Sequence, residues 1–144
     1  MFTLALTAIS VLGLDQVTKF LAIEHLSPAK SIGVIPGIFH LSFVENTGIA
    51  FGLFQGQPVI MTVLITLCVL ALLICSPFFV RRPLGLRLAY GFILGGAVGN
   101  WVDRIRYQHV IDFLDFRVWP VFNFADTFIS IGMILFLWYS FRKT

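Results

Sequence analysis

A chain this apolar has few side chains able to do chemistry, and its seven acidic residues are the place to begin. Four of them have a cation nearby in sequence. Asp15 and Lys19 stand at i and i+4 and share a helical face. Asp103 adjoins Arg104 and Arg106, Asp115 lies two residues before Arg117, and Glu24 adjoins His25. Asp112, Asp126 and Glu45 have no such neighbour. Asp126 is the most anomalous, because it opens an otherwise apolar run. Asn123 precedes it by three residues, a spacing that puts both on one helix face. A carboxylate at a bilayer edge has a raised pKa, since desolvation disfavours its charged form. Two such groups together share a proton, so that one can activate water and the other can protonate a carbonyl oxygen. Asp112 and Asp126 are the natural pair, flanking Trp119-Pro120, a bend able to swing the intervening loop over the next helix. The plain alternative is a solvated Asp112 and an Asp126 that caps its helix, since helix N-termini favour Asp. Spacing alone leaves both open.

Asn100, Asp103 and Arg104 fall at i, i+3 and i+4 and form one polar face. Asn100 can bond a substrate backbone and Arg104 can fix a carboxylate or a lipid carbonyl. The same face also suits a simple interfacial anchor. Gly91, Gly95 and Gly99, with Gly96 beside them, read as close helix packing through small residues. His25, His40 and His109 form no His-x-x-x-His pair and no Cys/His cluster, so a metal site lacks ligand spacing. Ser10, Ser76 and Ser130 have no evident His or Lys partner for nucleophilic catalysis. Cys68 and Cys75, seven residues apart, would lie roughly 10 Å apart along a helix, too far for a disulfide.

The elements that must position these groups follow from composition. The chain is 58% hydrophobic and 12% charged, against about 25% charged in soluble domains. It reads as a single polytopic membrane domain over residues 1–144. Four stretches reach the roughly 20 residues a bilayer crossing needs, about 2–22, 58–80, 84–102 and 124–141. They must be helices, which satisfy their own backbone groups in lipid. The expected fold is therefore an all-α membrane protein with four transmembrane helices and a small extracytoplasmic segment containing β structure. The first stretch lacks a basic leader and runs into Asp15-Gln16-Val17-Thr18-Lys19, so it reads as a retained span rather than a cleaved signal peptide. Arg81-Arg82 and Arg142-Lys143 place the 81–83 link and both termini on the cytoplasmic side. Segments 24–57 and 103–123 then lie outside. Pro36-Gly37 marks a turn, Ile38 to Val44 alternates like a strand, and Gly48, Gly52 and Gly56 recur through a run that suits the membrane surface. No Lys/Arg-rich run suggests a nucleic-acid partner.

Taken together, these segments resemble lipoprotein signal peptidase (signal peptidase II). The resemblance runs through Asp15 to Lys19, Glu45-Asn46-Thr47-Gly48-Ile49-Ala50-Phe51, Gly95 to Arg104, Val110-Ile111-Asp112-Phe113 and Phe122-Asn123-Phe124-Ala125-Asp126, in that order. Ile49 departs from the alanine common in the family. The resemblance implies Asp112 and Asp126 as a catalytic dyad. It implies that Asp15, Lys19, Asn46, Gly96, Asn100, Arg104, Asn123 and Ala125 support the site or the substrate. It implies a protein of the bacterial cytoplasmic (inner) membrane with its active site at the extracytoplasmic leaflet and with neither metal nor organic cofactor; a monomer is expected. Its partners would be membrane lipid, a diacylglyceryl-modified prolipoprotein cut on the amino side of the lipidated cysteine, and a globomycin-type cyclic peptide inhibitor. Two other classes compete. A proton- or ion-coupled carrier would use Asp15, Lys19 and Asp126 as a relay, but needs polar groups spread through the membrane depth. A non-catalytic assembly factor would tolerate substitution of both aspartates.

Overall fold

The structure, a computed structural model, describes residues 2–26, 31–48 and 56–142. Ile49, Ala50, Phe51, Gly52 and Lys143 of the motifs above lie outside the described residues. Four helices run Phe2–His25 (α1), Pro58–Val80 (α2), Leu84–Tyr107 (α3) and Phe124–Phe141 (α4). Three short strands, Ile32–Ile35 (β1), Phe39–Asn46 (β2) and Val110–Asp115 (β3), form one antiparallel sheet in the order β1-β2-β3. Among the described residues, α1, α2 and α4 are long and apolar enough to cross a membrane. The fourth helix expected to do so, α3, carries arginines at both ends and the Asn100-Asp103-Arg104 face.

That composition fits its place. Helix α3 is the central helix, packed against the other three, and holds most of the buried helical residues. Its glycines let neighbouring backbones touch it. A Cβ added at Gly95 would sit 2.5 Å from the Ala8 carbonyl oxygen of α1, and one at Gly96 would sit 2.5 Å from the Ala125 carbonyl oxygen of α4. With little apolar drive between helices in lipid, such contact is what holds a bundle together. Helix α2 attaches through polar clips instead. Tyr90 donates to the Leu72 carbonyl (2.6 Å), Trp101 Nε1 donates to Thr66 Oγ1 (2.9 Å), and Phe79 stacks on Tyr90 with centroids 4.1 Å apart. Its outer side is bare: Ile74, Phe78 and Val59 are all more than half exposed, as are Ile9 on α1 and Ile134 on α4. Apolar side chains facing outward in this number suit lipid rather than water.

Helices α2 and α4 keep the bounds expected of the second and fourth apolar runs. Helices α1 and α3 run on past 22 and 102, so Asp103 and Arg104 belong to the last turns of a helix rather than to an outer connection. The strand expected at 38–44 is β2, two residues longer at its end. Strands β1 and β3 flank it. Pro36 and Gly37 (φ +74) make the β1-β2 turn, with the Ile38 N–H donating to the Ile35 carbonyl at 3.0 Å. One side of the sheet packs Leu41, Phe43, Ile111 and Phe113 against Ala22 and Leu26 at the end of α1. Ser31, His40, Ser42 and Asp115 form a hydrogen-bonded row with Arg117.

Candidate active site

Asp112 lies on β3, opposite Val44, and is 1% exposed, so it is not the solvated loop residue of the plain alternative. Two amides hold its carboxylate. Asn46 Nδ2 donates to Oδ2 (2.8 Å) and Asn123 Nδ2 donates to Oδ1 (2.7 Å). Burial pushes its pKa up to about 7, the charge of Asp126 adds to the rise, and the two amide bonds oppose it.

Asn123 is the N-cap of α4. Its Oδ1 accepts from the Asp126 N–H (2.9 Å), and Asp126 Oδ2 accepts from the Asn123 N–H (3.4 Å), a reciprocal capping box. The other Asp126 oxygen, Oδ1, accepts from Asn100 Nδ2 of α3 at 2.8 Å. Capping and site membership are thus the same arrangement: the cap fixes Asp126 while leaving it at the cavity wall. The two aspartates line one cavity of about 690 Å³ and are linked through Asn123 and Asn100, whose amides meet at 3.2 Å. Neither carboxylate has a cation within salt-bridge distance among the described residues.

A charged floor lies against this pair. Lys19 Nζ contacts Asp15 (2.9 Å), Asp103 (2.7 Å) and Asn100 Oδ1 (2.9 Å), all buried. The expected Asp15–Lys19 pair therefore forms. Asp103, however, pairs with Lys19 of α1 instead of with its sequence neighbours Arg104 and Arg106. Asp15 Oδ1 also accepts from the Ala125 N–H (2.9 Å), and Asp103 Oδ2 accepts from the Ile111 N–H (3.2 Å). The floor thereby ties α1 to α4 and α3 to β3 at the residues that precede Asp126 and Asp112. Ala125, fully buried, rests its carbonyl against Gly96. Gln16 is a member that residue typing missed. Its Nε2 bridges to Asp103 (3.0 Å), and its place between Asp15 and Val17 in the first motif is the signal that marks it.

Arg104 closes the other side. Its Nη2 donates to the Gly48 carbonyl (2.7 Å), so α3 holds the segment that follows β2, while Nη1 is buried without a hydrogen-bond partner among the described residues. Asn46 turns its other atom to the same segment, accepting from the Gly48 N–H at 3.0 Å. Most of the remaining wall is apolar, with Met61, Leu64, Ile65 and Cys68 of α2, then Trp119 to Phe122 and Ile129, and Thr47 and Ser130 add two hydroxyls. Glu45, which has no cation beside it in sequence, stands 3.7 Å from His109 at the edge of this cavity. All ten residues singled out from sequence thus converge on the cavity or on the floor beside it. Cys68 and Cys75 are free and exposed.

Lipid-facing helices around a cavity with carboxylates on its wall define a membrane enzyme. A family model described as signal peptidase (SPase) II, Peptidase_A8, matches residues 7–142, and the chain belongs to that family of peptidases. It is 44% identical over 131 residues to a lipoprotein signal peptidase of Halothermothrix orenii, covering 89% of this chain and 90% of that one. It is 45% identical over 139 residues to one of Gloeothece citriformis, covering 94% and 87%. A solved bacterial membrane enzyme, determined in meso at 1.9 Å, superposes with a TM-score of 0.85 at 29% identity over 100% of this chain and 96% of that one. A second, at 2.3 Å, gives 0.87 at 29% identity, covering 99% and 89%.

Proposed function

We propose that this chain is an aspartic endopeptidase that removes the signal peptide from diacylglyceryl-modified bacterial prolipoproteins, cutting on the amino side of the lipidated cysteine. The observation that carries the reading is one cavity lined by two carboxylates, Asp112 and Asp126, each held by asparagine amides and neither neutralised by a cation. Such a pair retains one proton near neutral pH. The ionised member takes a proton from water as the water oxygen attacks the scissile carbonyl, and the protonated member gives its proton to the carbonyl oxygen. As the tetrahedral intermediate collapses, the C–N bond breaks and a carboxyl proton passes to the cysteine nitrogen. Asn46, Asn100 and Asn123 keep the carboxylates aimed. Arg104, whose Nη1 is buried with no partner among the described residues, takes a carbonyl of the substrate. Asp15, Lys19, Gly96 and Ala125 act beneath as scaffold. No cofactor takes part.

The apolar α2 wall admits a signal helix sideways from the bilayer while its acyl tails stay in lipid, where each buried CH₂ contributes about 0.8 kcal/mol. All four helices cross the membrane in a single domain over residues 1–144. Every acidic residue stands toward the sheet end of the bundle, while Arg81, Arg82, Arg87 and Arg142 stand at the other. The arginine end and both termini are therefore cytoplasmic, and the site lies at the outer leaflet of the bacterial inner membrane. The unit is a monomer. The purified chain, incubated in detergent with a diacylglyceryl-modified prolipoprotein, should shorten it to the cut form, and globomycin should block the reaction. An unmodified precursor cut equally well would remove the lipid from the reading, and no cut at all would remove the reading.

A further inference from the structure

We infer that Glu45 selects the charge of the substrate residues that follow the cleavage point, favouring a cationic side chain there. This rests on the peptidase reading. The charged side chains lining the cavity are Glu45, Asp112, Asp126 and Arg104. A dyad that shares one proton carries one negative charge, equal in number to the positive charge of Arg104, which lines the same cavity without an ion pair to either carboxylate. Glu45 is then the uncompensated charge of the cavity. Among the described residues its one ion-pair candidate is His109 Nε2 at 3.7 Å, a cation only when its ring is protonated.

Position decides which part of the substrate meets that charge. Glu45 sits on β2 beside Asn46, which holds Asp112, and its side chain is 57% exposed while Asp112 is 1% exposed. It therefore stands on the water side of the dyad. The signal helix occupies lipid, so the chain that leaves the dyad toward water is the stretch after the lipidated cysteine. That stretch passes the sheet in extended form and brings its first side chains past Glu45. A unit charge about 4 Å away in a watery setting shifts binding roughly fivefold, and opposite signs double that effect on a logarithmic scale.

The test uses three diacylglyceryl-modified peptides that differ in one residue shortly after the cysteine: Lys, Gln or Glu. The readout is the ratio of kcat/KM for the Lys and Glu peptides, with the Gln peptide as each variant's own reference. The wild-type chain should prefer Lys over Glu by about tenfold or more, and the preference should shrink as salt is raised. Glu45→Gln should bring the ratio close to one, and Glu45→Lys should invert it. A ratio that is the same in all three proteins, or a wild-type ratio of one at low salt, overturns the role of Glu45 while leaving the peptidase reading standing. A wild-type chain that cuts none of the three overturns that reading and this inference with it.

Discussion

Replacing Lys19 by Met keeps most of the side-chain volume and removes the only cation in the floor of the site among the described residues. Lys19 Nζ contacts two carboxylates and one amide oxygen, all within 2.9 Å, and is 3% exposed against 0% and 1% for its acidic partners. The three groups carry a net formal charge of −1 with the lysine present and −2 without it. Removing one partner of a buried pair typically costs about 3–5 kcal/mol, because the other is left unpaired in a poor solvent for charge. Here each carboxylate keeps other donors: Ala125 N–H for Asp15, and Gln16 with Ile111 N–H for Asp103. The loss should therefore fall near the lower figure, about 3 kcal/mol, or a melting temperature lowered by about 10 °C for a chain of this size. The double variant Lys19→Met with Asp103→Asn returns the floor to −1. It should recover about 1–2 kcal/mol relative to the sum of the two single changes. Thermal unfolding in detergent, followed by tryptophan fluorescence, reads both quantities. A Lys19→Met chain that melts with the wild type, or single effects that simply add, would refute a floor held together by that lysine.

Asp112 should reveal itself through pH. Its pKa is about 7 in the fold against an ordinary 3.8, so between those values the folded chain keeps a proton the unfolded chain has lost. Its carboxylate therefore lowers folding stability progressively as pH rises through that window, with the full penalty above it. Asp112→Asn should melt higher than the wild type at about pH 8 and lose that advantage near about pH 4. A pH-independent difference between the two chains would contradict the buried, unpaired setting. A Gly96→Val chain should lose at least about tenfold in cleavage rate, because its Cβ would stand 2.5 Å from the Ala125 carbonyl oxygen and displace the start of α4 from Asn100. Unchanged cleavage by that variant would show that the α3–α4 contact does not set the geometry of Asp126.

How far the sequence carried depended on where polarity sat. Helices α2 and α4 were legible to the residue, because Pro58 and Asn123 mark their starts and an arginine follows each end. Helix α3 outran its apolar stretch because its last turns carry Asp103 into the polar floor and Arg104 to the cavity wall, where lipid hydropathy gives no signal, and α1 runs past residue 22 through the polar Glu24 and His25. Strand β3 was hidden for a related reason. Five of its six residues are buried, so Val110 to Asp115 shows no clean two-residue alternation. The pairing of Asp103 was misplaced because adjacency in sequence is not adjacency on a helix. Arg104 turns into the cavity, and the cation that reaches Asp103 comes from another helix. Local pattern balances Asp126 between cap and site, and in the fold one side chain meets both demands through its two oxygens.

Cleavage of a diacylglyceryl-modified prolipoprotein by Asp112→Asn and Asp126→Asn chains, each first shown to be folded by its melting transition, measures the claim on which the rest depends. A shared-proton dyad predicts that each single variant binds the precursor but leaves it full length. Production of the cut form by either variant at a rate near that of the wild type would contradict it.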